Sequence, residues 1–79
     1  METPIKEKIR TVCLFENGQL KPLAFFWRNR NYKILRIAFT YSKNIGRETL
    51  FYFSVECENG LFELSFSREK FIWSLEKIF

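Results

Sequence analysis

The sequence contains no histidine and no aspartate, and its 79 residues include only two cysteines and three glycines. Without an imidazole, neither a Ser-His-Asp nor a Cys-His arrangement can be assembled, and histidine-based metal sites are excluded as well. All side-chain carboxylates therefore come from glutamate, and no two glutamates stand in a pattern that suggests a general acid and base. We therefore expect a protein that is not an enzyme and carries neither a metal nor another cofactor.

The cysteines, Cys13 and Cys57, are too few for a disulfide framework and lack the Cys-x-x-Cys spacing of a zinc or redox site. Each lies in a strand-like run, so we expect two buried, reduced thiols. No stretch approaches the roughly 20 apolar residues that span a bilayer, and no membrane partner is expected. The first residues are polar and carry both signs of charge, unlike a secretory leader, so we expect a cytoplasmic protein.

Aromatic side chains are abundant, with ten Phe, three Tyr and two Trp. Each such ring can bury about 150–250 Å², and a domain of this length has no room for all of them inside. Several must lie at the surface, in a groove or against another chain, because large exposed apolar patches are uncommon on monomers. The surplus of rings predicts an interaction surface.

Turn signals divide the chain into short strand-like runs. Asn17-Gly18 and Asn59-Gly60 are the strongest of them, because both residue types tolerate the positive φ of a type I′ turn. The long run from Tyr32 to Tyr41 changes the phase of its alternation midway. Its first half presents Tyr32 and Ile34 on one face, and its second half presents Ile37 and Phe39 on the other, which predicts a β-bulge between the two halves. We expect one all-β domain over residues 1–79 with little or no helix. Its predicted architecture is a small five- to six-stranded antiparallel barrel or a strongly bent, SH3-like sheet.

The last segment, residues 71–79, is ambiguous when its periodicity is considered alone. Its apolar residues fit an amphipathic helix, with Ser67 as a possible N-cap, and fit an alternating strand nearly as well.

Two stretches resemble an uncharacterised bacterial family of small β proteins. Residues 22–34, Pro-Leu-Ala-Phe-Phe-Trp-Arg-Asn-Arg-Asn-Tyr-Lys-Ile, are similar to that family's Pro-x-x-Phe-x-Trp-Arg-x-Arg-x-Tyr-x-Val element. Residues 60–64 and 73–79 are similar to its Gly-x-(Tyr/Phe)-x-Leu and Trp-x-Leu-Glu-Arg-Val-Tyr elements, and the likeness covers roughly residues 20–79. Asn29 stands where the family often has Gly. The resemblance implies a strand for residues 71–79 and implies no activity, because the family is a domain of unknown function.

Charge is strongly segregated along the chain although the net charge is only +4. Every charged residue from Asn17 to Arg47 is basic, whereas six of the nine glutamates follow from Glu48 onward. Basic side chains beside exposed rings are the combination that single-stranded nucleic-acid binders use. The candidate residues for contact with a nucleic acid or another partner are Trp27, Arg28, Arg30, Tyr32, Lys33, Arg36, Tyr41, Lys43 and Arg47.

These patterns support two functional hypotheses. The first is a small non-catalytic interaction module that docks on a partner protein, or self-associates, through surface aromatics. The alternative is a single-stranded nucleic-acid-binding module that uses the basic segment 17–47. Cross-strand pairing of the basic residues with glutamate would remove that basic surface, and an aromatic in strand alternation is more often core than binding surface.

Overall fold

The structure, a computed structural model, describes residues 2–79 and is built from six strands joined by short turns. The strands are β1 (Thr3–Glu16), β2 (Gln19–Trp27), β3 (Arg30–Ile45), β4 (Glu48–Cys57), β5 (Gly60–Ser67) and β6 (Ile72–Ile78). Each strand pairs antiparallel with the next one in sequence, and β6 returns to pair with β1, so the sheet closes into a barrel. The prediction of a small all-β barrel is confirmed. No helix long and apolar enough to cross a membrane occurs within residues 2–79.

The C-terminal segment is a strand. β6 pairs with β5 on one side and with β1 on the other, and Trp73 is in register with both Phe66 and Ile9. Trp73 and Leu75 therefore point into the barrel, where both side chains are buried. The helical alternative is wrong because this segment forms the strand that closes the barrel. Pairing on both sides selects the alternation with a period of two over the helical one.

The two Asn-Gly pairs differ in conformation. Asn17 and Gly18 form the β1–β2 turn with φ of 53° and 73°, as the type I′ prediction requires. In the β4–β5 connection the turn residues are Glu58 and Asn59, neither of which has a positive φ, and Gly60 starts β5 with a φ of 149° that favours glycine. The predicted hairpin is therefore confirmed at this position, whereas its type I′ turn is wrong.

The core is aromatic and lies between β2, β4, β5 and β6. Phe25 is fully buried, stacks on Tyr32 with ring centroids 4.9 Å apart and meets the edge of Phe62 at 5.6 Å. Offset-stacked and edge-to-face pairs of this kind add about 0.5–1.5 kcal/mol beyond the area they bury. The barrel interior is completed by Val55, Leu64 and other alternate residues of the central strands: Phe53, Cys57, Phe66, Trp73 and Leu75.

Two β-bulges interrupt β3, one between Ile34 and Arg36 and one between Ile37 and Phe39. The first confirms the predicted phase change, and it keeps both Ile34 and Ile37 packed against the core. The second turns Phe39 outward, where it is exposed. The expectation that Phe39 shares the face of Ile37 is wrong because that second bulge lies between them.

The two cysteines occupy different environments. Cys57 is buried in the core, and burial raises the pKa of its thiol. Cys13 is a free, exposed thiol, so the expectation that both are buried is wrong for this residue. The register of the β1–β2 pair shifts between Val12 and Cys13. Beyond that point the hairpin leaves the closed part of the barrel, which exposes Cys13.

Replacing Thr11 with valine is expected to stabilise the protein. Thr11 lies opposite Phe25 in the β1–β2 ladder, and its hydroxyl is buried without a hydrogen-bond partner among residues 2–79. An unpaired buried hydroxyl costs about 1–3 kcal/mol, so Thr11→Val should raise the free energy of unfolding by about 1 kcal/mol, measured by urea denaturation. Thr11→Ser is the matched control, because it keeps the hydroxyl, removes a methyl group and should destabilise. A Thr11→Val variant less stable than wild type would contradict the assignment.

Candidate functional site

The barrel has a gap between β2 and β3. These two strands pair over only four positions, from Ala24 opposite Lys33 to Trp27 opposite Arg30. Beyond them β3 continues beside β4 as far as Ile45, and the first half of β2 pairs with β1 alone. The β2 edge over residues 19–23 and the β3 edge over residues 35–45 are therefore not paired with each other. The space between them is the cleft.

The cleft is a large cavity with a mainly apolar lining. Its volume is about 1320 Å³, above the usual 300–1,000 Å³ of small-molecule pockets. Cys13 and Leu20 line it from the β1–β2 hairpin, and Ile37 lines it from β3. The remaining apolar lining is aromatic and comes from all parts of the barrel mouth: Phe15, Tyr41, Phe51, Tyr52, Phe53, Phe66, Phe71 and Trp73.

Two rings at the cleft are more exposed than any other large hydrophobic side chain of residues 2–79. Phe15 is 73% exposed and Phe71 is 79% exposed. Phe71 has a φ of 57°, a left-handed conformation that costs a residue with a Cβ about 1–2 kcal/mol. Its ring nevertheless meets the edge of Phe66 at 5.2 Å. A strained backbone that holds an exposed ring at a cavity is typical of binding sites.

Two charged residues line the cleft, and both are basic. Lys21 makes no ion pair within residues 2–79, whereas Arg68 pairs with Glu69 at 3.0 Å. The Glu69 carboxylate also accepts a hydrogen bond of 2.7 Å from the amide of Thr49. That backbone hydrogen bond, followed by the one from Arg68, holds the pKa of Glu69 below its usual range.

The basic segment does not form one surface. Arg28 lies in the β2–β3 turn and Arg30 directly after it, whereas Arg47 lies in the β3–β4 turn at the opposite end of the longest strand. Tyr32 is buried in the core, where its ring stacks on Phe25 and makes an edge-to-face contact with Phe62, so its proposed role as an exposed stacking platform is wrong.

Trp27 and Arg28 share a glutamate from β1. The Trp27 indole donates to one Glu7 oxygen at 2.8 Å, and Arg28 donates to the other at 2.9 Å while stacking over the Trp27 ring at 4.5 Å. The hydrogen bond from Trp27, and then that from Arg28, lowers the pKa of Glu7. Trp27 and Arg28 therefore join β2 to β1 and are already occupied within the fold.

The other candidate residues fall into two groups. Arg36 pairs with Glu56 at 3.1 Å across the β3–β4 ladder, and Lys43 lies over the rings of Tyr41 and Tyr52 at 5.8 and 5.5 Å. The second group consists of three exposed cations, Arg30, Lys33 and Arg47. None of them forms an ion pair within residues 2–79.

Tyr41, which also lines the cleft, belongs to a partly buried polar cluster. Its ring stacks on Tyr52 at 4.8 Å, and its hydroxyl donates a 2.8 Å hydrogen bond to the buried carboxylate of Glu63. Burial, and then that hydrogen bond, raises the pKa of Tyr41 to about 12. Ser65 beside it donates to Glu76 at 2.6 Å. No group of residues with metal-ligating spacing occurs within residues 2–79.

The sequence predicted surplus rings but did not assign them to the cleft. Phe15, Phe51 and Phe71 come from three separate runs of the chain, and only the curvature of the closed barrel brings them together. No family model matches the chain, and no curated protein or solved structure matches it. The resemblance to an uncharacterised bacterial family therefore stays a prediction.

Proposed function

We propose that this protein is a non-catalytic interaction module that binds an extended, apolar segment of a partner protein in the cleft. The observation that carries the proposal is the pair of strand edges left unpaired on either side of an aromatic cavity. Backbone N–H and C=O groups at such edges are a ready template for a further strand. An added strand would complete the sheet between β2 and β3.

The side chains support an extended occupant over a compact one. In a strand, successive side chains point to opposite faces, so alternate residues of the partner segment would face the cavity. Phe51, Phe53 and Trp73 form an apolar floor there, with the exposed rings of Phe15 and Phe71 at the opening. Main-chain hydrogen bonds would supply register, and the rings would select apolar side chains.

The nucleic-acid alternative has weaker support. Arg28 and Arg36 are paired with glutamates, Tyr32 is buried, and the remaining cations are spread along β3. Single-stranded nucleic-acid binders instead combine a continuous positive groove with exposed stacking rings.

The test uses labelled peptides of about six residues, the usual strand length, in which threonine alternates with valine, leucine or phenylalanine. Fluorescence anisotropy should show saturable binding of at least one of the three. A matched peptide with alternate backbone amides N-methylated should bind roughly tenfold more weakly or worse, because it cannot extend the sheet. If none of the three binds, or if N-methylation has no effect, the proposal is wrong.

Two cleft variants separate binding from folding. Phe71→Gly removes the ring and relieves the positive φ, and Phe15→Ser removes a ring that is largely solvent-exposed. Both should keep the thermal stability of the wild type while weakening peptide binding roughly tenfold, as expected for loss of an aromatic anchor. Phe79→Ser is the matched control, because Phe79 is an exposed ring directly after β6 that lines neither the cleft nor its strand edges. Equal loss of binding in the control would contradict the assignment to the cleft.

A further inference from the structure

The outer side of the β1–β2 hairpin carries a second exposed surface that the cleft does not use. In the ladder, Arg10 is opposite Phe26 and Val12 is opposite Ala24, which in turn is opposite Lys33. These residues point away from the interior, where Thr11 and Phe25 face each other. We name this surface the basic apolar face, and it consists of Arg10, Val12, Leu14, Leu23, Phe26 and Lys33.

Its apolar side chains come from neighbouring positions of the β1–β2 hairpin. Val12, Leu14, Leu23 and Phe26 are between 39% and 52% exposed, so each is partly packed against its neighbours. The guanidinium of Arg10 lies 5.3 Å from the centre of the Phe26 ring. A contiguous apolar surface with a charged rim is typical of a protein interaction site.

The charges on this face are of one sign. Arg10 and Lys33 make no ion pair within residues 2–79. The outward residues of β1 from 8 to 14, and their partners on β2, include no carboxylate. Carboxylates lie at the rim of the face, where Glu16 follows Leu14 at the hairpin tip and Glu58 lines a small pocket with Lys33. The charge beside Val12 and Phe26 is positive, and an occupant that carries carboxylates is electrostatically complementary to it.

We infer that the basic apolar face binds an acidic, amphipathic segment of a protein partner. A second copy of this chain is disfavoured, because a two-fold contact between identical faces would bring Arg10 and Lys33 against like charges. Phe26 is the single ring of this face and Arg10 already lies over it at 5.3 Å, so the face offers no row of stacking rings for a nucleic acid.

This face is separate from the cleft although both use the β1–β2 hairpin. Leu14 alternates with Cys13 and Phe15, which line the cavity on the inner side. Successive residues of a strand point to opposite faces, so one hairpin presents two different surfaces. The protein could thereby hold two segments at once, one on each side of the same ribbon.

The test uses a labelled amphipathic peptide in which leucine forms one helical face and glutamate the other, with matched peptides carrying glutamine or lysine in place of glutamate. Anisotropy should show binding of the glutamate peptide that weakens as salt is added, roughly tenfold weaker binding of the glutamine peptide, and none of the lysine peptide. If the glutamate peptide fails to bind, or if the glutamine peptide binds equally well, the inference is wrong.

Two double variants locate the contact. Val12→Ser with Leu23→Ser, and Arg10→Gln with Lys33→Gln, should each lower affinity for the glutamate peptide roughly tenfold. Leu61→Ser and Arg47→Gln are matched controls at exposed positions on β5 and in the β3–β4 turn, and they should bind as wild type does. Circular dichroism must show each variant folded. Loss of binding in the controls, or full binding by both double variants, would overturn the assignment.

The competing occupants are tested with the same variants. Binding to phosphatidylserine vesicles tests a membrane as the occupant, and binding to labelled oligothymidine tests a nucleic acid. Sedimentation at several concentrations tests a second copy of the chain. If one of these associations is strong and is lost in Val12→Ser with Leu23→Ser while the glutamate peptide does not bind, that occupant replaces the acidic segment. Phe15→Ser and Phe71→Gly should retain full affinity for the glutamate peptide, which separates a failure of this inference from a failure of the cleft proposal.

Discussion

Replacing Phe25 with alanine is expected to leave the protein largely unfolded at room temperature. Phe25 is fully buried and packs between Tyr32 and Phe62. Truncation of a buried Phe to Ala costs about 3–5 kcal/mol, and the core of a domain this small rarely supplies more than about 3–5 kcal/mol of net stability. The loss is therefore comparable with the whole stability of the fold.

Far-UV circular dichroism and urea denaturation measure this effect. Phe39→Ala is the matched control, because it removes the same atoms from an exposed position on β3, and its free energy of unfolding should change by about 0.5 kcal/mol or less. A Phe25→Ala variant that unfolds cooperatively at nearly the urea concentration of wild type would show that Phe25 is not at the centre of the core.

Tyr41→Phe is expected to destabilise the protein at neutral pH. The Tyr41 hydroxyl donates a 2.8 Å hydrogen bond to the carboxylate of Glu63, which is buried. Loss of a hydrogen bond to a charged group costs about 1.5–3 kcal/mol, and partial exposure of Tyr41 reduces the expected cost to about 1–2 kcal/mol. Tyr52→Phe is the control, because the Tyr52 hydroxyl donates no hydrogen bond to another side chain of residues 2–79.

The same contact predicts a pH dependence. The pKa of Tyr41 is about 12 in the folded protein, compared with the ordinary value of 10.0 that it regains on unfolding. Between these values the folded state binds more protons than the unfolded state, so stability falls as the pH rises from about 10 to about 12. Tyr41→Phe lacks this dependence, and the difference in unfolding free energy between the two proteins should shrink over that range. A constant difference across this range would contradict the role of the hydroxyl.

The two proposed surfaces have a common structural origin. Beyond Ile9 the first strand leaves β6, and before Ala24 the second strand has not yet met β3, so the tip of the β1–β2 hairpin is a two-stranded ribbon. Isolated two-stranded ribbons are at best marginally stable in water. This ribbon carries apolar side chains on both sides, with Phe15 and Leu20 at the cavity and Leu14 on the outer side beside Lys21.

The sequence alone determined the strands and most of the turns, because both depend on local chemistry. Strands are recognised from alternation with a period of two and from β-branched and aromatic residues, and the first turn is recognised from Asn17-Gly18. All of these signals lie within a few adjacent residues. The bulge after Ile34 was likewise visible as a phase change. The segment containing Trp73 was not decided locally, because its apolar residues fit two periods, and only pairing with β1 and β5 selected the strand.

The tertiary structure alone decided which rings are core and which are available for contact. Tyr32 and Phe15 look alike in the sequence, as aromatics in alternating runs, yet one is buried and the other is 73% exposed. The difference arises because β2 and β3 pair for only four positions, which places Tyr32 inside the closed ring and Phe15 at the gap. The pairing of the basic side chains with glutamate was also decided by the tertiary structure. Glu7 contacts Arg28 and Glu56 contacts Arg36 only after the strands are in register. Side-chain burial and ion pairing depend on contacts between distant residues, whereas strand and turn formation depends on adjacent ones.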